Sequence, residues 1–379
     1  MKGFSPLKRC IFGSFFLLAL TCAAVAQEAS YDDMPFWMIL EKGKRLFREG
    51  EYGDALLTFE DASRARKDHF SRLERTLVEA LSLPAIRSAG DALDRSEALF
   101  RERGFLNAQA ALTELYTFIR KDALQNSVRK AIEHLRSLRS YPEADFWIGE
   151  TFRAEGEFGI AIKQYRKAYE ARSLLEVSDE AFTILYRMAE LHGERQEYNE
   201  MEARLQDIVA SDPLWSDKAN DFLRESLNRS LSNEGVDQVI SLFRMESVGT
   251  AKAHRLLGFH YYATGRHDRA ASHLTFAYII QTTAVIDELK RVDLDWRFAG
   301  FPAILDSARK RESLAEYFSQ TDYFKTCYYL AASLYAIGKQ APAFELWRIL
   351  AGRPETGEWR LRSSRQLANP AVEKVMEAP

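Results

Sequence analysis

Cysteine is scarce in this sequence and poorly placed for chemistry. Cys10, Cys22 and Cys327 are the only three in 379 residues, and two of them fall within the first 26. A single thiol in the remaining chain excludes an internal disulfide and a cysteine-based metal site. Cys327 falls at a core-facing helix position, which predicts a buried thiol; the alternative is an intermolecular disulfide. Ten prolines and 19 glycines leave few helix breakers. Alternating apolar and polar runs are also scarce, so the composition, rich in Ala, Leu, Glu and Arg, favours an all-α fold. After Gln27 no segment is long and apolar enough to span a bilayer. The common catalytic signatures GxSxG, HExxH, GxxxxGK and CxxC are missing. Four of the seven histidines, at 254, 260, 267 and 273, stand at intervals that do not put neighbours on one helix face as an i,i+4 pair would. They read as packing and surface residues. No catalytic residue, metal site or cofactor is expected.

The first 26 residues read as a signal peptide. Lys2, Lys8 and Arg9 form a positive n-region, Ile11–Leu20 an apolar run, and Ala24-Val25-Ala26 a small-x-small cleavage pattern before Gln27. Two alternatives stand beside cleavage after Ala26. One is an uncleaved N-terminal anchor. The other is a lipid anchor at Cys22, where Thr21 stands in place of the usual small residue. Loss of the leader removes three positive charges and no acidic ones, taking the formal net charge from −3 to −6. That balance gives no broad footprint for nucleic acid.

Five later segments share one interval. The small or core residues Gly43/Ala55, Gly149/Ala161, Ala189/Met201, Gly258/Ala270 and Ala331/Ala343 all stand twelve apart. Four of the segments also carry Gly seven residues after the first member: Gly50, Gly156, Gly265 and Gly338. Glycine there lets the backbone turn tightly between two helices. The clearest segment is Lys252–Thr283. His254, Leu257, Gly258 and Tyr261 mark one amphipathic helix, Ala270, Leu274 and Ala277 the next, and Thr264–Gly265–Arg266 the turn between them.

This pattern resembles the tetratricopeptide repeat, W-x2-L-G-x2-Y…A-x3-F, with His254 in the place of Trp and Leu274 in the place of Phe. The resemblance covers five units, roughly 160 residues at 34 residues per unit less their degenerate ends. It implies an all-α solenoid of stacked helix–turn–helix repeats wound into a right-handed superhelix. The expected organisation is a signal peptide (1–26), a short tether (27–34), N-terminal repeats (35–213), C-terminal repeats (214–355) with an insertion at 284–322, and a capping helix with tail (356–379). The gaps at 92–120 and 214–245 read as degenerate helix pairs, one around Arg103-Gly104. An aromatic loop, Asp295–Pro302, fits no repeat.

In this family the inner helices line a concave groove that holds peptides or proteins. The resemblance therefore implies a partner-binding groove built from residues beside the core-facing stripe: Arg153, Tyr186, Lys252, Arg255, Phe259, Tyr262, Lys325, Tyr328 and Tyr335. Tyr262 and Tyr335 each follow a core position by one residue, about 100° round the helix, which is expected to turn both rings towards the groove. The Lys/Asn set of the carboxylate-clamp subclass is absent, its places held by Glu143, Phe146 and Glu150. The expected function is that of a non-catalytic scaffold or adaptor in the periplasm of a double-membraned bacterium. It would join envelope proteins in envelope or motility-apparatus assembly. The alternative is a ligand-binding accessory subunit of a transport system.

Overall fold

The computed structural model describes residues 34–82, 124–212, 215, 221–233, 235–245 and 248–374. The signal peptide with Cys10 and Cys22, residues 27–33 of the tether, the helix pair around Arg103-Gly104 and Pro213 lie outside the described residues. Among the described residues the regular structure is all helical, and no helix is long and apolar enough to cross a membrane.

The same turn recurs five times, and its hydrogen bonds explain the glycine interval. Glu51, Glu157, Glu197, Arg266 and Lys339 each donate a backbone N–H to the carbonyl five residues back: Leu46, Phe152, His192, Tyr261 and Leu334. The residue before each donor takes a left-handed conformation, at Gly50 (φ 86°), Gly156 (82°), Gly265 (75°) and Gly338 (81°). This is the Schellman closure, which satisfies the last carbonyls of the first helix before the second begins. The third repeat has no glycine at this position. Gln196 adopts the same conformation, φ 60°, and bears the steric cost of a side chain there.

Small residues stand where the paired helices cross. A Cβ on Gly43 would lie 2.5 Å from the Phe59 ring, and one on Gly258 would lie 2.4 Å from Leu274 Cγ. In both repeats the residue that covers the glycine is the one a turn beyond the small partner, not Ala55 or Ala270 itself. Both alanines are nonetheless fully buried.

The described residues fall into two compact units, divided between Glu157 and Phe158. In the first, α1 (Phe36–Glu49), α2 (Tyr52–Ser82), α3 (Leu124–Ser137) and α4 (Pro142–Ala154) enclose a core of Ile39, Leu40, Phe59, Tyr141 and Ile148. Arg66 seals its end, donating to the Leu138 carbonyl at 3.0 Å with its guanidinium 4.5 Å from the Tyr141 ring centroid.

The second unit begins with α5 (Phe158–Glu170), α6 (Glu180–Glu194) and α7 (Tyr198–Val209). It continues through α8 (Asp221–Asn233), α9 (Val236–Leu242), α10 (Val248–Ala263) and α11 (His267–Val292). The break between α8 and α9 falls at Gly235 (φ 87°), so the degenerate stretch 214–245 retains a helix pair. Helix α11 has 26 residues against the 16 of its partner α10. The extension carries it into the stretch expected as an insertion, where Val285, Ile286 and Leu289 stay buried. Two short helices, α12 (Phe301–Ala308) and α13 (Glu312–Gln320), fold back beside it, and Phe301 of the aromatic loop is a core residue. The unit closes with α14 (Tyr323–Ala336), α15 (Gln340–Ala351) and α16 (Glu358–Ala368), the terminal helix expected from sequence.

Histidine replaces the consensus Trp in the fourth repeat as part of a buried pair. His254 Nδ1 and His273 Nδ1 lie 3.0 Å apart, packed against the rings of Trp215 and Phe276. Burial drives both imidazoles well below their ordinary range, His273 to about 3. Each is therefore neutral and holds one proton to share. Cys327 is fully buried, as its helix position predicts.

Candidate functional site

The described part of the C-terminal tail runs back over the face of α10, α14 and α16, and the side chains that meet it define the site. Trp359 and Arg362 lie three residues apart on α16 and therefore on one helix face. Gly357 turns the chain into that helix at φ 61°. Tyr329 of α14 is central, with the rings of Phe259, Tyr262, Tyr328 and Trp359 at 5.5, 5.0, 5.3 and 5.9 Å. The Arg362 guanidinium lies 5.0 Å from the ring centroids of both Tyr328 and Trp359, within reach of the attraction between a cation and a ring face.

Residues 369–374 are seated against this cluster. The Glu373 carboxylate accepts from the Tyr328 hydroxyl at 2.7 Å and from Arg362 Nη2 at 2.8 Å. The Ala371 amide donates to Gln366 Oε1 at 2.9 Å, and the Tyr335 hydroxyl reaches the Pro370 carbonyl at 3.4 Å. Burial raises the pKa of the Tyr328 hydroxyl, and its bond to Glu373 raises it further, so it remains a donor. Burial opposes the charge of Arg362, but Tyr329 and Glu373 beside it more than offset this. The Tyr262 hydroxyl is buried next to the Glu373 backbone and makes no well-aligned hydrogen bond. A carboxylate held by one guanidinium and one hydroxyl is a charge-assisted arrangement, stronger than neutral pairs.

The expected groove residues fall in several places. Arg153 belongs to the first unit, where it pairs with Glu150 at 2.8 Å. The other eight are in the second unit. Phe259, Tyr262, Lys325, Tyr328 and Tyr335 come together around the site, Lys325 with its Nζ 4.7 Å from the Phe259 ring centroid. Tyr186 and Lys252 sit further along the repeats. The Tyr186 hydroxyl bridges the Gly249 carbonyl and the Ala253 amide, and Lys252 bonds Glu190 at 2.7 Å.

The expected exposure of four of these side chains is corrected. Arg255 and Phe259 are 7% exposed, Tyr262 2% and Tyr328 0%. The 100° step from Tyr261 does leave the seam within the repeat. It leads, however, into the contact with the next repeat, where Tyr262 meets Tyr329. An inner helix of a stack is covered on two sides, which leaves only a narrow stripe free. Arg255 is buried against Asp322, 3.2 Å away. Tyr335 is only half-buried. Sequence reasoning did not select Tyr329, Trp359, Arg362 or Glu373. The spacing of Trp359 and Arg362 was the one available signal.

A second concavity, of about 400 Å3, opens between α12, α13 and the turn before α16. Leu305, Phe318, Phe324 and Trp359 supply its apolar wall, and Arg309, Asp322, Lys325, Glu355 and Glu358 its charged residues. Both carboxylate oxygens of Glu355 are shut off from solvent without a hydrogen bond, the nearest cation being Arg353 at 3.9 Å.

Five turns of one geometry, with small residues at the helix crossings of the first and fourth repeats, give the described residues an all-α fold of tetratricopeptide-like helix pairs. Comparison with known proteins finds relatives and solved structures similar to this chain. The chain is 25% identical to an uncharacterized protein of Treponema pallidum (strain Nichols) over 334 residues, which cover 88% of this chain and 89% of that protein. It is 20% identical to an uncharacterized protein of Borreliella burgdorferi over 274 residues, 66% of this chain and 84% of the other. The crystal structure of the P58(IPK) TPR domain aligns with 90% of this chain and 100% of its own, at 14% identity and a TM-score of 0.18. No family model matches the sequence.

Proposed function

We propose that this protein is a non-catalytic scaffold or adaptor of the bacterial periplasm that binds an envelope or motility-apparatus protein through its second unit. Tetratricopeptide-type helix pairs suggest a protein-interaction role, and the similar chains in Treponema pallidum and Borreliella burgdorferi are compatible with a bacterial setting. The observation that carries the reading is the seated tail. Arg362, Tyr328, Tyr335 and Gln366 already hold a short peptide segment by its backbone and its acidic side chain. Tyr, Trp and Arg are also the residue types that most often anchor interfaces.

The test is a pull-down from the native envelope with the wild-type chain and with Arg362→Glu, both shown to be folded by circular dichroism. Arg362→Glu is expected to lose a protein that the wild-type chain retains. Retention of the same proteins by both would place the partner surface elsewhere. N-terminal sequencing of the native chain is expected to start at Gln27. An acylated Cys22 would instead mark a lipoprotein, and a retained Met1 would overturn export with cleavage.

A ligand-binding role in a transport system is favoured by one observation, the cavity at Glu355. Its volume lies in the range of small-molecule sites, and native mass spectrometry of the purified chain would reveal a bound compound.

A further inference from the structure

We infer that residues 369–374 are a built-in, displaceable occupant of the partner site, and that the partner presents an extended segment with an acidic side chain in the place of Glu373. This rests on the scaffold reading and adds to it the chemistry of the partner and the way the site is closed without one.

Three observations carry it. First, the tail is attached through the groups that make the site and through little else. Its hydrogen bonds run from Tyr328, Arg362, Gln366 and Tyr335 to one carboxylate and two backbone groups, with the Tyr262 hydroxyl close to the Glu373 backbone. Second, it contributes almost nothing to the core. Asn369, Ala371 and Val372 are exposed, Val372 to 47%. A segment that buries so little apolar surface has little beyond those polar bonds to offset the cost of ordering it. Third, the contact beneath the tail is imperfect, because the buried Tyr262 hydroxyl faces the Glu373 backbone without good hydrogen-bond alignment. A segment that follows the tail's path and aligns better with this hydroxyl would be held more firmly than the tail is.

The tail follows directly from the end of α16, so it competes as an intramolecular ligand. A short tether gives such a ligand an effective concentration in the millimolar range. A partner must exceed that, or the tail must first lose its carboxylate contact. The mode differs from the carboxylate clamp of the family. There a chain terminus is gripped by a Lys/Asn set, whereas here a side-chain carboxylate meets an Arg and a Tyr on the last helices.

The probe is a fluorescein-labelled peptide with the sequence of residues 369–379, titrated by anisotropy into three full-length chains. The wild-type chain should bind it weakly because its own tail is seated. Glu373→Ala, which frees the Arg362 and Tyr328 contacts, should bind it at least about tenfold more tightly. Arg362→Ala combined with Glu373→Ala should bring binding back to the wild-type level or below, and a probe carrying Gln in place of its first Glu should bind Glu373→Ala no better than wild type. Circular dichroism melting of each variant guards against misfolding, and Glu373→Gln provides a second opening variant. Equal binding by the wild-type and Glu373→Ala chains, or no binding by either, overturns the inference. The scaffold reading is judged separately, by whether Arg362→Glu loses the pulled-down protein.

Discussion

Gly258 tests the packing of the fourth repeat with a single methyl group. In Gly258→Ala the new Cβ would sit 2.4 Å from Leu274 Cγ and 2.6 Å from its Cδ2. Leu274 is fully buried, and its branch point cannot swing away as the tip of a long side chain can. One helix must therefore move by close to an ångström, and overpacking of this kind costs about 1–3 kcal/mol. Against it stands the better helix propensity of Ala, worth about 1 kcal/mol. Steric strain at a branch point belongs near the top of its range, so the expected net loss is about 1–2 kcal/mol. Leu274→Ala removes the obstacle and by itself costs about 2–5 kcal/mol. Adding Gly258→Ala to that background should then stabilise, because the propensity gain remains and the methyl fills part of the cavity. The sign of one substitution thus reverses with its neighbour, a coupling of about 2 kcal/mol or more. Guanidinium unfolding of the four chains, with hydrogen exchange followed across residues 248–292, measures it. A Gly258→Ala effect that is neutral in the native background, or equal in both, would refute the packing argument.

Two further outcomes follow from the same structure. Gln196→Gly should raise the stability of the second unit by about 0.5–1 kcal/mol, since the left-handed conformation costs a side chain about 1–2 kcal/mol and glycine gives back part of that in unfolded-state entropy; a fall in the unfolding midpoint would contradict it. The His254–His273 pair should make the second unit acid-sensitive. Its folded pKa values lie below the unfolded value of about 6.5, so the stability contribution is complete above that pH and declines below it, by about 1.4 kcal/mol per pH unit for each ring until the folded value is reached. An NMR titration should find both imidazoles still neutral at pH 5 with the chain folded, and a charged ring in the folded state there would sink the account.

Much of the architecture was legible in the residues because it depends on local chemistry. Glycine seven residues after a small residue states where the backbone turns left-handed, and the twelve-residue interval states where two helices cross. Both properties reside in a few bonds, so the helix pairs, the capping helix and the buried Cys327 could be read from the sequence by itself. The division at 157/158 could not, because it depends on which surfaces pack.

The site was only half legible for the same reason. The sequence could say that Tyr262 and Tyr328 leave the seam within their own repeat. Whether a ring that leaves one seam meets solvent or the next helix depends on the stacking of repeats, a contact between residues as distant as Tyr262 and Tyr329. Tertiary structure decided that these rings are core. It also decided that Arg362 and Glu373, eleven residues apart across a break in the helix, meet over Tyr328. A carboxylate finds its guanidinium through the path of the backbone after Ala368, and no periodicity in the sequence encodes that path.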